Sequence, residues 1–193
     1  MPRRKRQTST VKYLTENEIT RLFAAIEGKR DQAMFRVAYH RGLRASEVGM
    51  LQLADYRRDC GRLYIRRLKG SDAAEFRLTR AEETSLRAWI RERGTQPGPL
   101  FPSRQGGGRR GVSRFLLDKL MKRYAQLVGI PADRAHFHCM KHSCGTHLLT
   151  RGEDLMVVKD HLGHRSIKST MIYAQFTTRA REAAGERLRE WGR

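Results

Sequence analysis

Apolar residues recur at helical spacing along almost the whole chain, and only one stretch changes period. That restricts the fold to a mainly α domain with one small antiparallel β-sheet or hairpin. Ile19, Leu22, Phe23 and Ile26 fall on one helical face. Ahead of them Thr15 and Glu18 make a capping box, and Leu14 with Ile19 a hydrophobic staple, so the first helix starts at Thr15 and Gly28 can end it. A second helix is expected over residues 31–40, broken by Gly42, and a short one over 46–51. Residues 62–79 differ: Leu63 and Ile65, then Phe76 and Leu78, alternate with polar neighbours around the turn cluster Lys69-Gly70-Ser71-Asp72. This is the pattern of a β-hairpin with a basic tip. Helical spacing returns over 81–93, and a Gly- and Pro-rich loop fills 94–111. Its glycines do not make a phosphate-cradling loop, because no GK[ST] follows and no strand precedes. Helices are then expected over 112–127, 138–150 and 154–161, with a short one bearing Tyr173 and an amphipathic one at the C-terminus.

Charge narrows the function. The 193 residues carry 40 Lys and Arg against 20 Asp and Glu, a net +20 spread over the whole length. Such a surface seeks a polyanion, with nucleic acid first, because phosphate contacts release counterions. Ribosome-associated proteins share this charge, so it fixes no chemistry. A basic membrane-surface protein would show an amphipathic Lys/Arg helix with an aromatic face, and none stands out. Cys60, Cys139 and Cys144 are an odd number without a CxxC pair, which fits reduced thiols in a cytoplasm. Arg3, Arg4, Lys5 and Arg6 lead into no apolar stretch, so the start is not a secretion signal. No apolar run approaches the roughly 20 residues that span a bilayer.

Four places concentrate reactive side chains. In Gly42-Leu43-Arg44-Ala45-Ser46-Glu47, Arg44 sits where a loop enters a helix, and Glu47 can orient its guanidinium to grip phosphate oxygens. Read alone, this is also an ordinary surface ion pair. Lys69 at the hairpin tip is either a proton donor for a leaving oxygen or one more solvated lysine. His138 and His142 stand four apart, a zinc-capable spacing. Cys139 occupies the place of the HExxH glutamate, however, and no distant Cys/His pair completes a tetrahedral set. His138 and Lys141 together suit a phosphate, His142 reads as a buried, hydrogen-bonded histidine, and Cys139 and Cys144 read as small core residues. In the last place Gly163 stops a helix, Ser166 caps the next, His164 lies at the junction and Tyr173 follows nine residues later. Alone, Tyr173 is a core aromatic.

In order and spacing these four places resemble the tyrosine recombinase family over roughly residues 12–178. Its first box matches Gly42 to Glu47, its hairpin lysine Lys69, its HxxR box His138 to Lys141, its LGH box Leu162-Gly163-His164, and its nucleophile Tyr173. The resemblance implies the recombinase catalytic-domain fold over residues 13–177, a basic arm over 1–12, and a C-terminal helix over 178–193, which either docks on a neighbouring copy with Ala183, Leu188 and Trp191 as anchors or packs on its own core. It implies that Tyr173 attacks a DNA phosphate and forms a 3′-phosphotyrosyl link. Arg44, Lys141 and His164 would hold the phosphate oxygens, His138 would assist proton transfer from Tyr173, and Lys69 would protonate the 5′ oxygen. No metal and no cofactor is expected. The partner is double-stranded DNA, gripped also by Arg3, Arg4, Lys5, Arg6 and Arg165, with a tetramer assembled on it and room for an accessory DNA-bending protein. Two departures stand out. Lys141 replaces an arginine and cannot clamp bidentately. And few residues precede the catalytic part, an economy shared with short fimbrial-inversion recombinases. Two other readings stay open: type IB topoisomerase-like strand rejoining, and a DNA-binding regulator weakened by Lys141.

Overall fold

The computed structural model describes residues 11–68, 71–104, 107–176 and 178–191. Lys69, Arg3, Arg4, Lys5 and Arg6 lie outside the described residues. Helices α1 (Glu16–Ala24), α2 (Lys29–His40) and α3 (Ala45–Met50) precede strands β1 (Tyr56–Arg57), β2 (Arg62–Ile65) and β3 (Ala74–Arg77). Helices α4 (Arg80–Arg93), α5 (Arg114–Leu127), α6 (His138–Thr150), α7 (Leu155–His161) and α8 (Thr178–Trp191) follow, with Tyr173 on a short 3-10 turn, Met171–Phe176, between the last two.

Local chemistry sets most of these boundaries. The Thr15–Glu18 capping box opens α1, and the same device, Thr79 with Glu82, opens α4. The expected stop at Gly28 does not hold. The first helix closes at Ala25, whose N–H bonds back to Arg21, and Gly28 instead begins α2 as its N-cap. The sheet is antiparallel in the order β1-β2-β3, with Leu63 opposite Phe76. Leu63 and Ile65 point into the core.

Two apolar clusters divide the molecule. The larger packs α1, α2, α4 and α5 against the sheet and the start of α6, around Leu22, Met34, Phe35, Leu86, Met121 and Phe137. Each such side chain contributes roughly 1.5–3 kcal/mol by leaving water. The smaller holds Cys144, Leu149, Val158, Leu162 and Tyr173, with Val11 and Phe176 packed against it. Helix α6 runs between the two. Cys139, Met140, Lys141, Ser143, Cys144, Gly145, Thr146, His147 and Leu149 are all buried, so apolar surface surrounds it instead of forming one stripe. Val11 and Lys12, expected in the arm, belong to the fold: Val11 packs against the smaller cluster and Lys12 pairs with Asp133 at 3.3 Å. On α8, Leu188 and Trp191 are exposed, so these two expected anchors do not pack on the chain's own core; the side chain of the third, Ala183, lies outside the described residues.

Candidate active site

The turn before α3 builds the first wall. Gly42 has φ +54°, and a Cβ there would lie 2.3 Å from the Leu162 side chain, so the position accepts only glycine without rearrangement. The reversal leaves Arg44 extended at the N-cap of α3, facing Glu47. The Glu47 carboxylate accepts the Arg44 backbone N–H at 2.8 Å and Nη1 at 2.9 Å. Arg44 Nη1 also donates to Ser71 Oγ at 2.8 Å, which ties the guanidinium to the hairpin beyond Lys69. Arg44 stays partly open to solvent, whereas Glu47 is fully buried. Burial opposes ionisation of Glu47, but the Arg44 N–H and the charges of Arg67, Lys141 and Arg44 outweigh it and hold the carboxyl below its usual range.

Arg67 and Lys141 form the floor. Arg67 is buried, with Nη1 on Glu47 at 3.1 Å and on the Gly42 carbonyl at 3.2 Å, and Nη2 on the carbonyls of Arg41 at 2.9 Å and His161 at 3.0 Å. Its Nε has no hydrogen-bond partner and lies close under Gly163, where a Cβ would approach it to 2.9 Å. Lys141 is 2% exposed, and Nζ donates to the carbonyls of Gly42 and Leu162, each at 2.8 Å. Burial, with the Arg67 charge beside it, pushes this ammonium down to about 7. In this geometry the Lys141 ammonium is turned to the interior of the fold. It stitches the Gly42 turn to the Leu162 turn, because a lysine at this inward position of α6 ends within reach of both carbonyls, the first of them shared with Arg67.

His164 follows that second turn. Gly163, at φ +66°, stops α7, and Ser166 caps the next turn by accepting the Lys168 N–H. His164 pairs in a short β-bridge with Ser71 and bonds through Nδ1 to Thr170 Oγ1 at 3.0 Å. Burial and the charges of Lys141, Arg44 and Arg67 lower its pKa to about 4, so the free protein carries it neutral. Arg165 is exposed and pairs with Asp72 at 3.1 Å across the hairpin.

Tyr173 is 1% exposed, with its ring against Gly145, where a Cβ would lie 3.0 Å from Cζ. Its hydroxyl meets Nδ1 of His142 at 2.8 Å. Burial raises its pKa above the ordinary phenol value. His138 lies at the exposed edge, its ring 4.4 Å from that of His142 and nearly perpendicular to it. Loss of hydration and the charges of Lys141 and Arg44 lower the His138 pKa. The structure thus gathers Arg44, His138, Lys141, His164 and Tyr173 round one site, although Lys141 faces inward.

Two residues were not singled out as functional from sequence. His142 is half-buried and holds Tyr173, and its i,i+4 relation to His138 was the available signal. Arg67, two residues past β2, continues the inward period-two register of Leu63 and Ile65, which marks it as a buried arginine.

This arrangement, a helical frame with a small antiparallel sheet and a buried tyrosine against α6, has the fold of a tyrosine recombinase catalytic domain. Residues 12–179 match the phage integrase family, and the chain belongs to it as a tyrosine site-specific recombinase. It is 31% identical over 173 residues to the type 1 fimbriae regulatory protein FimE of Escherichia coli (strain K12), covering 84% of each chain. The crystal structure of XerA recombinase matches with a TM-score of 0.78 at 23% identity, over 97% of this chain and 67% of that one. The post-cleavage complex of XerH site-specific recombinase bound to its palindromic difH substrate matches with a TM-score of 0.75 at 25% identity, over 91% of this chain and 53% of that one. No described helix is long and apolar enough to cross a membrane.

Proposed function

We propose that this chain cuts and rejoins double-stranded DNA at specific sites, with Tyr173 as the nucleophile and a 3′-phosphotyrosyl intermediate. The observation that carries this reading is the Tyr173 hydroxyl, held at 2.8 Å by an imidazole in the site that Arg44 and His164 flank. The fold relation to XerH bound to its difH substrate and the net charge of +20 support DNA as the partner.

Breaking a phosphodiester needs a nucleophile, neutralisation of the non-bridging oxygens, and a proton for the leaving oxygen. Tyr173 attacks phosphorus, and the bond to the 5′ oxygen breaks. Arg44, already oriented by Glu47, and His164 receive the charge that builds on the phosphate. His138 sits at the open edge, where the phosphate enters. Lys69 donates the proton to the 5′ oxygen. Lys141 acts from below: by joining the Gly42 and Leu162 turns it fixes the spacing between Arg44 and His164. The phosphotyrosyl link keeps the bond energy, so a 5′ hydroxyl from a partner strand reverses the step without a nucleotide or a metal. Arg3, Arg4, Lys5, Arg6 and Arg165 grip the DNA backbone outside the cleavage point. The exposed Leu188 and Trp191 on α8 fit docking between copies in a tetramer on DNA, with an accessory bending protein compatible with it.

Incubation with nicked duplexes of random sequence, followed by SDS denaturation and sequencing of attached DNA, tests the reading. Enrichment of one site is expected. Tight DNA binding without any covalent adduct would leave a DNA-binding regulator instead. Plasmid relaxation without exchange between two copies of the recovered site would identify topoisomerase-like rejoining.

A further inference from the structure

We infer that His142 is the group that takes the Tyr173 hydroxyl proton as the nucleophile attacks, and that returns it when the strand is rejoined. The inference rests on the strand-transfer reading above and assigns a further catalytic residue to it.

Geometry comes first. His142 Nδ1 lies 2.8 Å from the Tyr173 oxygen, inside the range for direct proton transfer. Among the described residues, no other side chain hydrogen-bonds that oxygen. His138 touches the pair only through the His142 ring, edge to face at 4.4 Å. A proton leaving Tyr173 therefore meets His142 before it can reach His138. Position in the fold reinforces this. Both histidines lie on α6, one turn apart, but His138 is exposed and His142 is half-buried beneath it. Gly145, one turn further on, leaves the space that lets the Tyr173 ring lie against the helix and point its hydroxyl back at His142.

The electrostatics are consistent. Burial, His138, His136 and Lys141 lower the His142 pKa to about 4, so the ring is neutral at physiological pH and one nitrogen is free to accept. In the tautomer with Nε2 protonated, Nδ1 accepts from the tyrosine. A phosphodiester entering beside Arg44 brings a negative charge that offsets the neighbouring cations, which makes His142 more basic at the step that needs it. The proton balance is complete. The O–H bond of Tyr173 breaks as the O–P bond forms, the proton resides on Nδ1, and the 5′ oxygen takes its proton from elsewhere. On rejoining, the imidazolium returns the proton to the departing phenolate. His138, stacked edge-on against His142, orients the ring and faces the incoming phosphate.

Single-turnover cleavage of a nicked suicide duplex tests the assignment, with wild type, His142→Gln, His142→Ala and His138→Ala compared. Glutamine can still hydrogen-bond Tyr173 but cannot carry its proton, so it separates positioning from base catalysis. Both His142 variants should cleave about 10²–10⁴-fold more slowly, as expected for loss of a general base, while retaining wild-type DNA affinity. Added imidazole should restore part of the His142→Ala rate, in proportion to its free-base form. His142→Gln cleaving within a few-fold of wild type would overturn the assignment, as would imidazole rescue confined to a His138→Ala variant. Should wild type itself form no Tyr173-dependent adduct, the strand-transfer reading fails and the assignment with it. A wild-type adduct with unimpaired His142 variants removes the assignment alone.

Discussion

Lys141→Met replaces a buried ammonium by a side chain of similar length and no charge. In the folded chain burial, Arg67 and Arg44, opposed by Glu47, lower Lys141 from its ordinary 10.5 to about 7. Between those values the unfolded chain still holds the proton and the folded chain has released it. Unfolding then takes up a proton, so wild-type stability rises with pH across the window. At about 1.4 kcal/mol per pKa unit, wild type should gain roughly 2 kcal/mol over Lys141→Met between pH 7 and 9. At pH 7 two effects oppose each other. The variant escapes a burial cost of roughly 4 kcal/mol. It also strips the Leu162 carbonyl of its Nζ donor, while the Gly42 carbonyl keeps Arg67. The lost bonds and the orphaned carbonyl cost about 2–4 kcal/mol, which leaves the two proteins close in stability at neutral pH. Urea unfolding of both at pH 7, 8 and 9 measures the slope. A stability difference that does not move with pH would refute the reasoning, because it would mean that the Lys141 ammonium stays hydrated in the fold.

The remaining predictions probe other parts of the frame. Gly145→Ala puts a methyl 3.0 Å from Tyr173 Cζ and from the Leu162 side chain. It should destabilise by about 1–3 kcal/mol through overpacking and slow adduct formation more than it weakens DNA binding, as thermal melts and single-turnover assays will show. Arg41→Met breaks the buried pair with Glu82, held at 2.8 and 2.6 Å. With a carboxylate left unpaired, denaturant unfolding should report a loss of about 3–5 kcal/mol. His164, lowered from 6.5 to about 4 by burial and the nearby Lys141, Arg44 and Arg67, binds its proton more weakly folded than unfolded. Stability should therefore fall as pH drops from 6.5 towards 4, by up to about 3 kcal/mol, and His164→Gln should flatten that fall in a pH series of melts.

Much of the frame was legible because its signals are local. The Thr15–Glu18 capping box places the start of α1 correctly, and period-two alternation at Leu63, Ile65 and Phe76 locates the hairpin. Strand β1 escaped notice because two residues, Tyr56 and Arg57, are too short to display a period. Gly28 is ambiguous in sequence because a glycine between two helices serves equally as the stop of one or the start of the next, and only Ala25 closing on Arg21 decides it. For the site, spacing singles out Arg44, His138, His164 and Tyr173, and the fold brings their segments together. What spacing does not reveal is which atom meets which across distant segments. Lys141 reads as a phosphate ligand, and its spacing gives no sign that its Nζ bonds to Gly42, 99 residues away. His142 reads as a hydrogen-bonded histidine, and only the fold shows that its partner is Tyr173, 31 residues downstream.

The central claim is that Tyr173 itself becomes joined to DNA. Proteolysis of the SDS-stable adduct and mass spectrometry of the nucleotide-bearing peptide tests it most directly, with Tyr173→Phe treated in parallel. The account predicts a nucleotide mass on the peptide containing Tyr173, attached through a 3′ phosphate, a free 5′ hydroxyl on the released strand, and no adduct from Tyr173→Phe. An adduct on any other residue, a 5′-phosphoryl linkage, or an adduct that survives Tyr173→Phe would contradict it.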